Sequence, residues 1–362
     1  MKDKNKIYEI YGTDAHEMTK ALMSAADVAD TIPAGASIAL KPNLVLAGTP
    51  ETGATTHAGV VSGCIEYLKE NGFSDISIME SSWVGEKTER SFRMCGYDKI
   101  CGKYDVPFYD LKKDSVRMTD TPFRPMEISC RALDADYLID LPVLKGHCQT
   151  KMTCALKNLK GCIPDREKRK FHTDGLTRPI AALAAVLKPS LVIVDSICGD
   201  LYFEEGGNPV RTNRMFLGAD PVKMDAYGCM LMGIDVEDVP YIRLAEKWGA
   251  GSADVNTGDI IRLNEPVESA EYTHMSGLVR GLVDNVSEGS ACSACFASLV
   301  RALYIADKEG INISDRIYIG QGYQGMELDG TGIGRCCKGA ERCVMGCPPA
   351  ASDIIGYFRD NL

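Results

Sequence analysis

Six cysteines near the carboxyl terminus have spacings that favour iron–sulfur chemistry. The chain has 15 cysteines, and six of them lie in its last 71 residues: Cys292, Cys295, Cys336, Cys337, Cys343 and Cys347. The first two form a Cys-x-x-Cys pair, and the last is followed by two prolines. A cubane [4Fe–4S] cluster needs four thiolates, and such a pair with a distal Cys-Pro is a common source of them. Proline also suits the first turn of a helix, where free N–H groups can point at anionic sulfide.

Two other uses of these thiols stay open. Disulfides need an oxidising compartment, and the amino terminus, Met1 to Lys6, leads into no apolar segment of a secretory signal. Structural zinc also uses Cys-x-x-Cys pairs, and it accepts histidine as well. The last histidine is His274, so a zinc site in this region would be all-thiolate. We expect metal binding rather than disulfides, with the cluster favoured over zinc.

A second set of polar side chains follows predicted strands in the amino-terminal part. Lys41 and Asn43 end the apolar run 38–40, around a proline that fixes the turn. Thr56 and His57 begin a predicted helix, where a threonine can cap the first turn. In parallel α/β sheets, ligands bind outside the carboxyl ends of the strands. We therefore expect these side chains to face a ligand cleft.

The densest polar run extends from Lys145 to Lys170. It holds six lysines and two arginines against two acidic residues, in a chain of formal net charge −10. Such a local reversal of charge favours a pocket for a phosphate or a carboxylate. His147 follows Lys145 and Gly146 at a predicted strand end. An imidazole that titrates near neutrality suits general acid–base catalysis at this point.

The sequence thus predicts one cleft with two groups of candidates. The catalytic candidates are His57, Lys145 and His147. The substrate-binding candidates are Lys41, Asn43, Thr56, Lys157, Asn158 and His172. Asp195, after the predicted strand 191–194, would bring a carboxylate to the same edge. The alternative for a single lysine is a solvated surface charge, and for a single histidine it is a structural hydrogen bond.

Composition limits the classes of protein and partner. The contents of 45% hydrophobic and 25% charged residues are ordinary for a globular protein. The net charge of −10 and a pI near 5.1 argue against broad binding to nucleic acid or to anionic membranes. No apolar run approaches the roughly 18 residues that a membrane span requires. We expect a cytoplasmic protein whose partner is a small anionic ligand, with no nucleic acid or membrane.

Short apolar runs alternate with helical patterns through residues 1–265, as is typical of an α/β ligand-binding domain. Strands are predicted at 36–40, 76–79, 137–141, 191–194 and 215–217, and helices at 57–70, 87–94, 177–187, 221–232 and 241–248. Apolar and polar residues do not alternate cleanly along these strands. We therefore expect a mainly parallel sheet flanked by helices. A linker is predicted at 266–290 and a small α/β iron–sulfur domain at 291–362, with a glycine-rich loop at 320–339.

Taken in order, the motifs resemble a bacterial and archaeal family, the domain of unknown function 362. The resemblance rests on Lys41-Pro42-Asn43, Thr55-Thr56-His57, Leu141 to His147, Leu156 to Gly161, Lys170-Phe171-His172 and Gly346-Cys347-Pro348-Pro349. Members look like iron–sulfur proteins of anaerobes. The resemblance therefore implies a set of cluster ligands: Cys292, Cys295, Cys336 and Cys347. It leaves open that Cys337 or Cys343 takes the place of one of these four ligands. The family is also distantly similar to the amino-terminal part of nickel-dependent lactate racemase, whose histidine motif has no match here.

These features favour an enzyme, a [4Fe–4S] oxidoreductase that acts on a small anionic substrate in the lysine and histidine cleft. In a first alternative the cluster is a Lewis acid in a lyase, hydratase or desulfurising reaction, which needs one iron without a cysteine. In a second, the protein is a non-catalytic electron carrier or a redox-sensing binding protein. A redox partner protein fits the leading hypothesis. No Gly-x-Gly-x-x-Gly follows an early strand, and no motif decides for or against a flavin.

Overall fold

The computed structural model describes residues 3–147, 149–200, 204, 206, 209–267, 282–291 and 293–361. The chain divides into two compact units. The first comprises Met1–Gly146 and Thr150–Tyr272, and the second His147–Gln149 and Thr273–Leu362. The predicted boundaries at 265 and 290 stay a prediction, because residues 268–281 lie outside the described part of the chain.

The first unit contains twelve strands and ten α-helices among its described residues. The strands are β1 (Ile7–Tyr11), β2 (Ile38–Pro42), β3 (Ile76–Glu80), β4 (Phe108–Asp110), β5 (Val116–Thr119), β6 (Met126–Ser129), β7 (Tyr137–Leu141), β8 (Lys145–His147), β9 (Lys151–Thr153), β10 (Leu191–Asp200), β11 (Pro209–Gly218) and β12 (Ile260–Arg262). The helices are α1 (Ala15–Ala25), α2 (Ala58–Glu70), α3 (Thr88–Met94), α4 (Tyr97–Tyr104), α5 (Cys130–Asp134), α6 (Ala155–Asn158), α7 (Asp165–Asp174), α8 (Thr177–Leu187), α9 (Pro221–Met232) and α10 (Pro240–Lys247).

Eight of these strands form a mixed, mainly parallel sheet. Their order is β12-β1-β11-β10-β7-β2-β3-β4, and β11 alone runs antiparallel to its neighbours. Strands β5 and β6 pair antiparallel in a separate two-stranded sheet, and β8 pairs with β9. The predicted parallel sheet is therefore confirmed.

Helices cover both faces of the large sheet. On one face, side chains of α1, α2 and α4 form a core with Ile139 and Ile193. On the other face, side chains of α8, α9 and α10 pack with Leu138 and Val192. Neighbouring residues of one strand therefore enter opposite cores, and this is why the strands show no clean alternation of apolar and polar residues.

Four neighbouring strands of the sheet, β3, β2, β7 and β10, run parallel to one another. Strand β2 lies between β3 and β7, and β10 lies on the far side of β7. Lys41 is opposite Asp140, and Asp140 is opposite Val192 in the next strand. Residues that follow these strands thus meet at one edge of the sheet.

The second unit is a smaller α/β structure. It has four parallel strands in the order β13 (Val286–Glu288), β14 (Ile317–Ile319), β15 (Leu328–Ile333) and β16 (Ala340–Val344). Helices α11 (Ser293–Glu309) and α12 (Ala351–Asn361) share an apolar core with these strands.

Strand β15 corrects the prediction of a glycine-rich loop over 320–339. A Cβ on Gly330 would lie 2.5 Å from the carbonyl oxygen of Arg316, and one on Gly332 would lie 2.5 Å from that of Cys337. Any side chain at either position would collide with a neighbouring backbone. The glycines therefore permit close packing of a strand, whereas by composition alone they predict a loop.

In the part of the chain that the structure describes, no helix has the length and apolar character needed to span a membrane.

Candidate functional site

Thr56 ties the end of β2 to the end of β7. Its backbone N–H donates to the carbonyl of Asn43 at 3.0 Å, and its hydroxyl accepts from the backbone N–H of Asn43 at 2.8 Å. The same hydroxyl donates to the carbonyl of Leu141 at 2.7 Å. Helix α2 begins one residue after His57, with no side-chain cap, so the predicted threonine cap was wrong. The hydroxyl is used instead to join two strand ends.

His57 forms a hydrogen-bonded pair with Asp195, which lies within β10 because that strand runs to Asp200 and does not end at residue 194 as predicted. Oδ2 of Asp195 accepts from the backbone N–H and from Nδ1 of His57, each at 2.8 Å. Oδ1 accepts from the backbone N–H of Ile197 at 3.2 Å. The Asp195 side chain is fully buried, whereas that of His57 is 16% exposed. Nε2 of His57 has no hydrogen-bond partner among the described residues. Within the described part of the chain, this nitrogen is therefore the one left to exchange a proton.

The pKa of His57 is set by opposing effects. Burial acts to lower it, but the Asp195 carboxylate outweighs burial and the pKa is raised. Glu51 adds to the increase, and Arg211 opposes it. A raised pKa keeps more of the imidazole protonated near neutral pH, so His57 can donate as well as accept a proton.

Lys145 lies fully buried beside Asn43. Its Nζ donates to the carbonyls of Ala54 and Glu204, the latter at 2.8 Å, and lies 3.5 Å from Oδ1 of Asn43. Lys157 forms an ion pair with the carboxylate of Glu204. Both predicted lysines thus bind the same residue, through its carbonyl in one case and its carboxylate in the other.

Lys41 has a buried acidic partner. Its Nζ donates to Oε2 of Glu80 at 2.8 Å, and the lysine side chain is fully buried. Burial would lower the pKa of Lys41, but Glu80 outweighs it and the pKa is raised. Gly161 packs on this pair, since a Cβ there would lie 1.7 Å from Oε1 of Glu80. Lys41 therefore stabilises the end of β2 and is not exposed to a ligand.

Asn158 belongs to the same buried network. Its Nδ2 donates to Oδ1 of Asp140 at 2.8 Å and to the carbonyl of Lys41 at 3.4 Å. Burial raises the pKa of Asp140 to about 7, although Lys41 and Asn158 act to lower it. Oδ2 of Asp140 has no partner among the described residues. Asn158 thus fixes the position of α6 relative to β7.

Lys168, on α7, was missed as a site residue from the sequence. Its Nζ donates to the carbonyl of Ser81 at 2.8 Å, to the Ser81 hydroxyl at 2.6 Å and to the carbonyl of Ser82 at 2.6 Å. Burial lowers its pKa to about 7. This lysine ties α7 to the residues after β3. No local pattern distinguishes it from its exposed neighbours Arg169 and Lys170.

The other two predicted histidines have different surroundings. His147 is buried and is grouped with the second unit, and its Nδ1 accepts from the backbone N–H of Gln149 at 3.1 Å. His172 is half-buried on α7, and its Nδ1 has no hydrogen-bond partner among the described residues. The structure thus brings together Asn43, Thr56, His57 and Lys145, and adds Asp195 to them.

The second unit gathers cysteines around Gly334. Its backbone N–H donates to the carbonyl of Val344 at 2.8 Å, and that of Arg335 donates to the carbonyl of Gly346 at 2.9 Å. Cys336 and Cys347, each one residue further along, therefore leave the sheet side by side. Sγ of Cys295 lies 3.8 Å from the position of a Cβ on Gly334. The absence of a side chain at this glycine leaves space beside the thiols.

Two further thiols flank this turn. Sγ of Cys343 donates to the carbonyl of Gly334 at 3.6 Å, whereas Sγ of Cys337 is buried and donates to the carbonyl of Gly320 at 3.7 Å. Cys292 lies outside the described residues. Among the residues that are described, no three His, Cys, Asp or Glu side chains form a ready metal-binding group.

Comparison with known proteins gives a family and two similar proteins. The domain of unknown function DUF362 matches residues 38–230. The thylakoid-associated protein sll1697 of Synechocystis is 25% identical over 226 residues, which are 59% of this chain and 68% of that protein. The lactate racemase apoprotein of Thermoanaerobacterium thermosaccharolyticum is 14% identical with a TM-score of 0.42, over 64% of this chain and 58% of the racemase. The chain thus spans less than two thirds of the racemase, and at this TM-score we draw nothing from the likeness.

The family match covers more than half of the chain and runs from β2 into α9. It includes Asn43, Thr56, His57, Lys145 and Asp195, whereas the six cysteines between residues 292 and 347 lie beyond it. The chain therefore belongs to the family of the domain of unknown function DUF362.

Proposed function

We propose that the protein is an iron–sulfur oxidoreductase that binds a [4Fe–4S] cluster through its second unit and a small anionic substrate in its first. This proposal is supported by the hydrogen-bonded backbones next to Cys336 and Cys347, and by Sγ of Cys295, which lies 3.8 Å from the position of a Cβ on Gly334. With Cys292 these three cysteines make the four thiolates that a cubane cluster needs. When bound, such a cluster supplies one-electron transfer.

The first unit contributes acid–base chemistry to the proposal. His57 exchanges a proton with the substrate at Nε2, while Asp195 holds the Nδ1–H and stabilises the imidazolium. Lys145 supplies a buried positive charge beside Asn43, which favours an anionic ligand at this edge. Lys41, Lys157 and Asn158 support these residues through buried contacts and are left out of the set that contacts substrate.

Purification under anaerobic conditions tests the cluster. We expect about four irons and four sulfides per chain, with an EPR signal on reduction. Cys295→Ser, Cys336→Ser and Cys347→Ser should each lower the iron content. Cys64→Ser, which changes a buried thiol on α2, is the matched control and should keep it. A colourless protein that holds zinc would overturn the proposal. If only three of the four thiols proved essential, the Lewis-acid reaction would replace electron transfer.

The substrate can be sought as a ligand that co-purifies. Mass spectrometry of small molecules released from the anaerobic protein should detect a carboxylate or phosphate compound. His57→Ala and Lys145→Ala should lose that compound while the iron content and EPR signal are kept. If both variants retain it in full, the proposed anion site is wrong.

We infer a cytoplasmic location, which the acidic net charge of −10 favours. The name of the Synechocystis relative associates that protein with thylakoids, so membranes must be tested directly. Cell fractionation should recover the chain in the supernatant at physiological salt. Recovery in the membrane pellet would contradict this location.

A further inference from the structure

Three buried lysines of the first unit already have partners inside the protein. Lys41 pairs with Glu80 and Lys157 with Glu204, and Lys168 donates to three oxygens of the loop after β3. All three lysine side chains are buried. Besides the buried charge of Lys145, a substrate anion that reaches His57 therefore needs a cation that is exposed.

Arg211 meets this requirement. It lies in β11, its side chain is exposed, and no carboxylate of the described residues lies within ion-pair distance of its guanidinium. In the antiparallel register it is opposite Cys198 of β10. Sγ of Cys198 in turn donates to the carbonyl of Glu51 at 3.5 Å. Strand β11 thus carries Arg211 next to the 3-10 helix Pro50–Thr52, which precedes His57 in the chain.

Electrostatic effects on neighbouring groups agree with this placement. Arg211 acts to lower the pKa of His57, of Glu51 and of Cys198. Among the charged groups, Asp195 and Glu51 raise the pKa of His57 because they favour the imidazolium. Arg211 lowers it because it disfavours the imidazolium. An anion bound to Arg211 would therefore also be close enough to change the pKa of His57.

We propose that Arg211 binds the carboxylate or phosphate group of the substrate and so places the reacting group at Nε2 of His57. The guanidinium offers a planar pair of N–H donors, which matches the two oxygens of either anion. Arg211 thereby selects for an oxyanion next to the acid–base pair. This assignment rests on the proposed function, because it names the residue that recognises the anionic substrate.

Histidine NMR on the full-length protein tests the assignment. His57 would be followed by selective ¹³C labelling, identified by the signal missing in His57→Gln, and titrated with and without inorganic phosphate or oxalate. In the wild type, saturating anion should raise the titration midpoint of His57 by about half a pH unit, because a nearby negative charge favours the imidazolium. Arg211→Gln should abolish this response. It should also raise the midpoint without anion, since one positive charge is lost.

Arg243→Gln is the matched control. It removes the same charge from α10, which packs on the opposite face of the sheet, and should keep the full anion response. A response of equal size in Arg211→Gln, or no response of the wild type to either anion, would overturn the assignment. A response to one anion alone supports Arg211 and identifies the class of substrate. Iron content measured on the same samples separates failure of the cluster from failure of this site.

Discussion

Asp195 determines which nitrogen of His57 carries the proton. Because the carboxylate accepts from Nδ1 at 2.8 Å, the proton is held there and Nε2 is left for exchange with a ligand. The full burial of Asp195 removes competing water, and its second oxygen is held by the backbone of Ile197. A partly exposed imidazole with a buried carboxylate behind it is a common arrangement for general acid–base catalysis. Arg211 adds an exposed cation near this pair.

Asp195→Asn should lower the titration midpoint of His57. The carboxylate raises the pKa of His57 in the folded protein, so its neutralisation should lower the midpoint by about one pH unit. Histidine NMR measures the change. Asp134→Asn removes an exposed carboxylate that pairs with Arg117, and it should leave His57 unchanged. An unaltered midpoint in Asp195→Asn would show that the pair does not control His57.

Gly161→Ala should destabilise the first unit. The added Cβ would lie 1.7 Å from Oε1 of Glu80 and 2.8 Å from Nζ of Lys41, so the buried ion pair must shift or break. We expect a loss of roughly 2–4 kcal/mol in the free energy of unfolding, measured with urea. Gly102→Ala on α4 is the control, because its Cβ would meet nothing within 4 Å. It should be neutral or slightly stabilising. Equal effects of the two changes would contradict the packing role of Gly161.

Short α6 depends on two buried acids from neighbouring elements. Asp225 of α9 accepts from the backbone N–H of Leu156 at 3.3 Å, and Asp140 of β7 holds the side chain of Asn158. Each acid has one carboxylate oxygen without a partner among the described residues. A helix of four residues has too few internal hydrogen bonds to be stable alone. Its position is therefore set by the sheet and by α9.

Stability should fall as pH rises through the pKa of Asp225. Burial raises this pKa from 3.8 to about 8, so the folded state binds a proton more tightly than the unfolded chain does. The resulting stabilisation is complete below the unfolded pKa and is lost as pH rises through about 8. Urea unfolding at several pH values should show less decline between pH 5 and 9 in Asp225→Asn than in the wild type. Parallel curves for the two proteins would contradict the raised pKa.

The turns after β15 and β16 carry both the proposed ligand thiols and a buried thiol. Cys337 is buried beneath the sheet edge, so Cys337→Ser should keep the iron and lower the free energy of unfolding by about 1 kcal/mol or more. Cys336→Ser should lose iron, with Cys343 as the nearer substitute because its thiol contacts Gly334. Iron assays and urea unfolding distinguish the two effects. Iron loss in Cys337→Ser equal to that in Cys336→Ser would show that the ligand set is wrong.

The two units of the chain differ in how much core they bury. The first has an extensive apolar core on each face of its sheet, whereas the second has one small core beneath four short strands. A small core leaves little margin of stability, so a bound metal would contribute to folding of the second unit. The family match, residues 38–230, ends before the segment Thr273–Leu362 that makes up most of the second unit.

Removal of the proposed cluster should therefore destabilise the second unit more than the first. After treatment with an iron chelator, backbone amides of β14 and β15 should exchange with deuterium faster, while those of β2, β7 and β10 should stay protected. Hydrogen exchange with mass spectrometry measures both regions in one sample. Uniform deprotection of the whole chain would contradict a role for the metal in the second unit alone.

Local pattern is sufficient for much of the fold. Strand 137–141 and helices 177–187 and 221–232 agree with β7, α8 and α9 at both ends, because apolar runs and helix periodicity depend on neighbours in the chain. Strand β15 was not predicted because its glycines indicate a loop when only the sequence is considered. Gly330 and Gly332 are required because the backbones of Arg316 and Cys337 pack against them, and this contact exists only in the folded protein.

Residue types and strand ends also predict an anion site near His57 and a thiol site near the carboxyl terminus, and both stay predictions. The sequence could not reveal that Lys41 is neutralised by Glu80, 39 residues away, or that Asp195 meets His57 across 138 residues. Strand order determines these pairings, since β2 lies between β3 and β7 while β10 lies beyond β7. A lysine becomes a buried structural cation or an exposed ligand-binding one according to the partner that packing brings to it, and that partner is distant in the chain.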